Sequence, residues 1–202
     1  MNSEAYRMAN KRKMIIEFAM RIRNMLFFYG YGHIGRGSYL LKPMRIIGKK
    51  YINIGDSCSI LHHARIEVIR QWEYNSCQGC LTIGNHTSIE QRCHIIAAEQ
   101  LSIGHDCVIS ADVYIADCNH KISGINKNIM SEPLEIKKTA IGNYCFIGIG
   151  SKILPGVTIG DNVVVGANSV VTKDIKSNTM VAGNPAKIIK QYDTIEKKWV
   201  KV

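Results

Sequence analysis

The chain contains no stretch of 18 uncharged apolar residues, so it carries no candidate membrane-spanning helix. Its opening segment, MNSEAYRMANKRKMIIEFAMRIRNMLFFYGYG, is basic. The apolar run within it is interrupted by Glu17, Arg21 and Arg23, and it lacks a small-residue cleavage site. Both features read against a secretory signal, and the expected location is the cytoplasm. Acidic residues are few, 16 against 26 lysines and arginines, for a formal charge of +10. A positive field of this kind attracts polyanions. No zinc finger, helix-turn-helix or RNA-binding signature accompanies it, so nucleic acid is not the expected partner. A nucleotide cofactor or an anionic membrane surface suits the charge as well. Seven cysteines without a secretion signal do not suggest a disulfide framework. Cys77-x-x-Cys80 has no second pair to complete the four ligands of a structural zinc, so no metal is expected.

What the sequence has in abundance is a repeat. Aliphatic residues recur at every sixth position: Ile34, Leu40, Ile46; Ile54, Ile60, Ile66; Ile83, Ile89, Ile95; Ile103, Ile109, Ile115; Ile141, Ile147, Ile153; Ile159, Val165, Val171. A period of six is not that of an α-helix, whose apolar positions recur at three and four. It fits short strands joined by tight corners, three hexapeptides to a triangular coil, with the coils stacked as a prism. Side chains alternate along a strand, so from the second triplet on the residues two before each anchor, Ile52 through Ser169, should also point inward. Those residues, among them Cys58, Cys93, Cys107 and Cys145, are small or apolar and never charged. The spacing departs from six only after the third member of a triplet, by two, eleven, two and twenty residues. All four insertions should therefore leave from one edge of the prism, and insertions on one face commonly mark the binding face. The longest, 121–138, is a candidate arm toward a neighbouring subunit.

Three segments follow: a basic N-terminal segment, 1–30; the repeat domain, 31–185; and a tail, 186–202. Residues 4–28 read as an amphipathic helix with Met14, Ile15, Phe18, Ile22, Met25 and Leu26 on one side. That helix either packs on the prism or lies peripherally on the inner membrane face, where Lys11, Arg12, Lys13, Arg21 and Arg23 would assist. The stretch 186–199, after Pro185, reads as a short C-terminal helix.

Two stretches carry a family resemblance. IGDNVVVGANSVVTKDIKSNTMVAGNPAKII, residues 159–189, resembles the C-terminal coils of hexapeptide-repeat acyltransferases, and IADCNH, residues 115–120, resembles the active-site segment of their O-acetyltransferase branch. The likeness is nearest to O-antigen and capsule polysaccharide O-acetyltransferases. It implies an all-β fold, a left-handed parallel β-helix, with acetyl-CoA as co-substrate and a homotrimer whose active sites lie between adjacent prisms.

Acetyl transfer to a saccharide hydroxyl needs a base, and histidine suits the role because its unperturbed pKa, about 6.5, lies near working pH. Of the seven histidines, His120 stands where the long arm begins, and the resemblance assigns it as the base. Asp117 or Asn119 could orient its ring. Cys118 next to His120 invites an acyl-cysteine route, whereas the resemblance implies direct transfer in a ternary complex. The same alignment sets Ile149 and Ala167 beside the pantetheine arm, Thr172 and Lys173 near the cofactor phosphates, and Lys187 and Lys190 near the adenosine 3′-phosphate. Phe146 replaces a tryptophan common in sugar acetyltransferases. Arg92 replaces an acceptor-contacting asparagine of the galactoside-type enzymes, so Arg92 and His94 become the candidate acceptor contacts. Other readings are N-acetylation of a nucleotide-linked amino sugar and a non-catalytic trimeric scaffold. A γ-type carbonic anhydrase is excluded, because no two histidines stand five residues apart.

Overall fold

The hexapeptide spacing appears in space as strands of two to four residues, each followed by a corner. The computed structural model describes residues 29–73 and 75–202; the expected helix over 4–28 lies outside the described residues. Gly32–Val202 form one compact unit. Three parallel sheets wall a left-handed β-helix. Sheet 1 stacks His33–Ile34, Ile52–Ile54, Cys80–Ile83, Gln100–Ile103, Thr139–Ile141 and Thr158–Ile159. Sheet 2 begins Tyr39–Leu40, Ser59–Ile60, Ser88–Ile89, Val108–Ile109, Phe146–Ile147 and Val164–Val165. Sheet 3 holds Arg45–Ile47, Arg65–Val68, His94–Ala97, Tyr114–Ala116, Lys152–Ile153 and Val170–Val171.

The register is the one the period predicts. Ile34, Ile54, Ile83, Ile103, Ile141 and Ile159 pair in sequence down sheet 1. From the second triplet on, the residues two before the anchors are buried, including the four predicted cysteines; in the first coil Met44 is exposed. The two long insertions leave from the edge between sheets 3 and 1, and residues 48–51 and 98–99 turn the same edge.

The edge between sheets 1 and 2 explains why small residues recur there. A Cβ on Gly35 would lie 2.3 Å from the Gly55 carbonyl carbon, and one on Gly104 would lie 2.5 Å from the Gly142 oxygen, so only glycine lets successive coils approach. Inside this edge runs a ladder of hydroxyls and thiols. Ser38 Oγ donates to the Gly55 carbonyl at 2.6 Å, Cys58 Sγ to Gly84 at 3.0 Å and Thr87 Oγ1 to Gly104 at 2.8 Å. Cys107 Sγ donates to Gly142 and Cys145 Sγ to Gly160, both at 3.1 Å. Each group satisfies a carbonyl that would otherwise be buried unpaired, at a cost of about 1–3 kcal/mol. Outside the same edge, Asp56, Asn143 and Asp161 accept from backbone N–H groups of the preceding coil.

The C-terminal helix is a correction. Lys187–Asp193 pairs antiparallel with Thr179–Ala182, the last coil strand of sheet 2, and Lys198–Lys201 pairs with Lys187–Asp193 in turn. The tail is therefore a β-hairpin continuous with the prism, and there is no boundary at 186. An exposed edge strand offers unpaired backbone groups, and the hairpin covers them on this sheet. Ile188 and Ile189 favour a strand, while Tyr192 and Trp199 meet across it with ring centroids 5.4 Å apart. A segment this short cannot be assigned from periodicity alone.

Burial pushes the thiols of Cys58 and Cys77 up, that of Cys93 to about 11 and that of Cys118 to about 12; the hydrogen bond with Cys107, and then burial, pushes that of Cys145 up. Cys80 alone is partly exposed. The bond with Cys145 lowers the Cys107 thiol to about 7, but Cys107 is fully buried and out of a reagent's reach. Because reaction needs an accessible thiolate, an aromatic disulfide reagent should label Cys80 in the native protein and reach the others only after denaturation. Fast native labelling of Cys58, Cys93, Cys107 or Cys145 would show the inward register to be wrong.

Candidate active site

The edge between sheets 3 and 1 carries both long insertions. In the first, Gln71–Trp72 pairs antiparallel with Asn75–Ser76. In the second, Cys118–His120 pairs antiparallel with Leu134–Ile136, setting His120 opposite Leu134. The chain between these strands, 121–133, forms the arm, with a single 3-10 turn at Ile129–Ser131. Trp72 ties the two insertions together: its indole Nε1 donates to the Glu132 carbonyl at 3.1 Å, and its ring meets His120 edge-on with centroids 5.1 Å apart.

A cavity of about 780 Å³ lies beside His120. Arg45, Arg65, Glu67 and Tyr114 line it from sheet 3, and Arg70, Trp72, Cys118, Asn119 and Leu134 from the insertions. The volume is within the range of small-molecule sites, roughly 300–1,000 Å³. Glu67 is buried and engages two cations, Arg45 Nε at 3.1 Å and Arg65 Nη2 at 2.9 Å. His94 packs edge-on to Tyr114, centroids 5.5 Å apart. Burial, with Arg65 nearby, holds the His94 imidazole below its usual pKa.

The other predicted residues divide by edge. Asn119 is exposed beside His120. Asp117 is fully buried and spends both oxygens on backbone amides, accepting from Ala98 N at 2.6 Å and Glu99 N at 2.9 Å. Burial raises its pKa. It anchors the corner from which the His120 strand departs, and no carboxylate holds the His120 ring among the described residues; its neighbour there is Trp72. Thr172 and Lys173 are exposed on the same edge, beyond the last strand of sheet 3. Ile149 and Ala167 instead lie one coil apart on the edge between sheets 2 and 3, joined by Asn168 N donating to the Ile149 carbonyl at 2.8 Å. Their own backbone N–H groups make no hydrogen bond among the described residues. Lys187, paired with Ala182, continues that side, and Lys190 lies further along the hairpin. Arg92 is a corner residue of the edge between sheets 2 and 3, with φ 57°. Its guanidinium makes a bidentate pair with Asp112 at 2.8 and 2.7 Å and holds the Asp112 carboxyl below its usual range. Arg92 thus stands outside the cavity of its own chain.

Sequence reasoning missed Arg45, Arg65, Glu67, Arg70 and Trp72. A signal existed for the first two: the residue just before each sheet 3 anchor points outward, and Arg45, Arg65, His94, Tyr114 and Lys152 form one register column. Nothing in the repeat indicates that Arg70 and Trp72, inside an insertion, fold back over that column.

Comparison with known proteins agrees with this architecture. The family model of the bacterial transferase hexapeptide, of six repeats, matches residues 138–173. WbbJ of Escherichia coli K12, named for O-acetyl transfer in lipopolysaccharide biosynthesis, is 39% identical over 132 residues, spanning 61% of this chain and 67% of that protein. The galactoside O-acetyltransferase of the same organism is 29% identical over 180 residues, 88% of this chain and 81% of its own. The fold also matches AntD, an N-acyltransferase from Bacillus cereus solved with dTDP and 3-hydroxybutyryl-CoA, with a TM-score of 0.70 at 20% identity over 86% of this chain and 90% of that one. This chain belongs to the hexapeptide-repeat acyltransferase family.

Replacing Asp117 by alanine removes the acceptor of one buried and one part-buried backbone N–H group, so the folded state should lose about 2–4 kcal/mol. By thermal unfolding this is a fall of several degrees in Tm, at about 2–4 °C per kcal/mol for a chain of this size. An unchanged Tm would remove Asp117 from its anchoring role.

Proposed function

We propose that this protein transfers an acetyl group from acetyl-CoA to a saccharide hydroxyl, in the assembly of a surface polysaccharide such as O-antigen or capsule, with His120 as general base. The observation that carries this reading is the setting of His120: at the mouth of a cavity of about 780 Å³, on the insertion-bearing edge, against Trp72. The names of WbbJ and the galactoside enzyme support a sugar acceptor. The residues present suit coenzyme A: unpaired backbone N–H groups at Ile149 and Ala167 can meet the amides of the pantetheine arm, and Lys173, Lys187 and Lys190 are exposed cations for its phosphates.

In this reading the thioester supplies an activated acetyl group. His120 accepts the proton of the acceptor hydroxyl as its oxygen attacks the thioester carbonyl, and the imidazolium then returns that proton to the departing sulfur. Trp72 limits the ring's freedom from one side. Cys118, buried with its thiol pKa raised to about 12, is poorly suited to act as a nucleophile.

One prism cannot perform this alone, because His120 and the pair Ile149 and Ala167 occupy different edges, with sheet 3 between them. Three copies arranged head to tail would set the His120 edge of one against the Ile149 edge of the next, and a closed ring of heterologous contacts is the symmetric way to do so. Ile122, Ile125, Ile129 and Met130 of the arm are exposed and suit contact with a neighbour.

Light scattering should give about three times the chain mass of 22.6 kDa; a monomer would overturn the shared site. His120→Ala should slow acceptor-dependent CoA release by at least ~100-fold, the scale of a lost general base, while calorimetry finds acetyl-CoA still bound. Cys118→Ser should retain most of the activity. A trapped acetyl-Cys118 peptide, together with an inactive Cys118→Ser protein that folds and binds, would replace direct transfer with an acyl-enzyme route.

A further inference from the structure

The cavity beside His120 holds more positive charge than its own structure uses. Three guanidinium groups, Arg45, Arg65 and Arg70, face one carboxylate, Glu67. Glu67 pairs with Arg45 and Arg65 together, so one of those charges remains uncompensated. Arg70 has no carboxylate partner among the described residues. It lies 4.0 Å over the Tyr51 ring, and its Nη atoms donate to the Gly79 carbonyl at 3.4 Å and to Gln78 Oε1 at 3.3 Å. That arrangement fixes the guanidinium without neutralising it. Arg65 Nε is buried and lacks any hydrogen-bond partner, a costly state for a charged donor.

We propose that the cavity is a subsite for an oxyanion, a carboxylate or phosphate borne by the saccharide acceptor, held by Arg45, Arg65 and Arg70; the identification of the occupant as acceptor rests on the acetyl-transfer reading above. The guanidinium fork matches carboxylate and phosphate oxygens in pairs, and such charge-assisted bonds are the strong ones. Position along the prism separates this group from the cofactor. Arg45 and Arg65 lie on the first two strands of sheet 3, His120 follows the fourth, and Ile149 and Ala167 lie in later coils. Strand spacing in a sheet is about 4.8 Å, so the Arg65 strand lies roughly 10 Å from the strand that leads to His120. A sugar ring can occupy that interval, with its anion on the arginines and a hydroxyl at His120. His120 then stands between an acceptor bound toward the N-terminal coils and an acetyl group delivered from the C-terminal ones.

The test is calorimetry on the full-length protein with glucose, glucose 1-phosphate and glucuronic acid as probes. At least one anion should bind at least ~10-fold more tightly than glucose, the scale of one charge-assisted hydrogen bond, and the comparison of the two anions identifies the preferred oxyanion. Added salt should weaken the preference. Arg70→Gln should remove most of the preference and leave acetyl-CoA affinity unchanged. Arg45→Gln, at the more exposed rim, should act in the same direction and serves if Arg70→Gln disturbs its hairpin. Saturating coenzyme A should not displace the bound anion. Equal binding of all three probes, or no detectable binding of either anion, would overturn the subsite, as would displacement by coenzyme A, which would assign the arginines to the cofactor. If the anion binds and the variants weaken it, yet no saccharide supports CoA release from acetyl-CoA, the subsite stands and the acetyl-transfer reading fails.

Discussion

Every coil of this protein is held by backbone hydrogen bonds to the coils before and after it, at the fixed spacing of parallel strands, and that constraint decides which residues each corner admits. Between sheets 1 and 2 the coils approach so closely that a side chain on Gly35 or Gly104 would collide with the neighbouring backbone. The glycine carbonyls there need donors from inside, and Ser38, Cys58, Thr87, Cys107 and Cys145 supply them. The small polar inner positions are thus hydrogen-bonding members of the stack as well as volume fillers. A cysteine suits them because it is small, tolerates an apolar surrounding and still offers a weak donor.

The same constraint explains what the sequence made legible. A coil must close after three strands, so the period of six, the inward residues and the edge of the insertions are all legible in the sequence, and the structure agrees with them from the second coil on. The C-terminal segment escaped because it lies beyond the last hexapeptide. There a strand and a helix compete on local pattern, and pairing to the open edge of sheet 2 decided the outcome. Within the candidate site, the place of His120 on the insertion-bearing edge, beside the cavity, was visible from its motif and its position at an insertion. The role of Asp117 was not: that it turns inward and spends its carboxylate on Ala98 and Glu99 is a tertiary fact. The arginine-lined cavity was half visible, in the outward column of sheet 3, and half hidden in an insertion whose return path the repeat does not specify.

The prism also imposes a division of labour. Its edges between sheets 1 and 2 and between sheets 2 and 3 are short and regular, and they repeat the same bonding coil after coil. The edge between sheets 3 and 1 alone accepts long excursions among the described residues, so the side chains that the repeat does not specify, Arg70, Trp72 and the apolar tip of the arm, collect there. His120 shares that edge, which puts the group assigned to the chemistry beside the least regular part of the prism. The residues assigned to the cofactor lie largely in the regular coils.

The bond from the Trp72 indole to the Glu132 carbonyl has a consequence of a different kind. The chain has two tryptophans, and the other, Trp199, sits in the C-terminal hairpin against Tyr192. Trp72 touches both the arm and the His120 ring, so its emission is sensitive to hydration and to the imidazole beside it. The protein therefore carries its own optical probe at the mouth of the site. In a chain from which the second tryptophan has been removed, arm displacement and cavity filling can be followed in real time without attaching a dye.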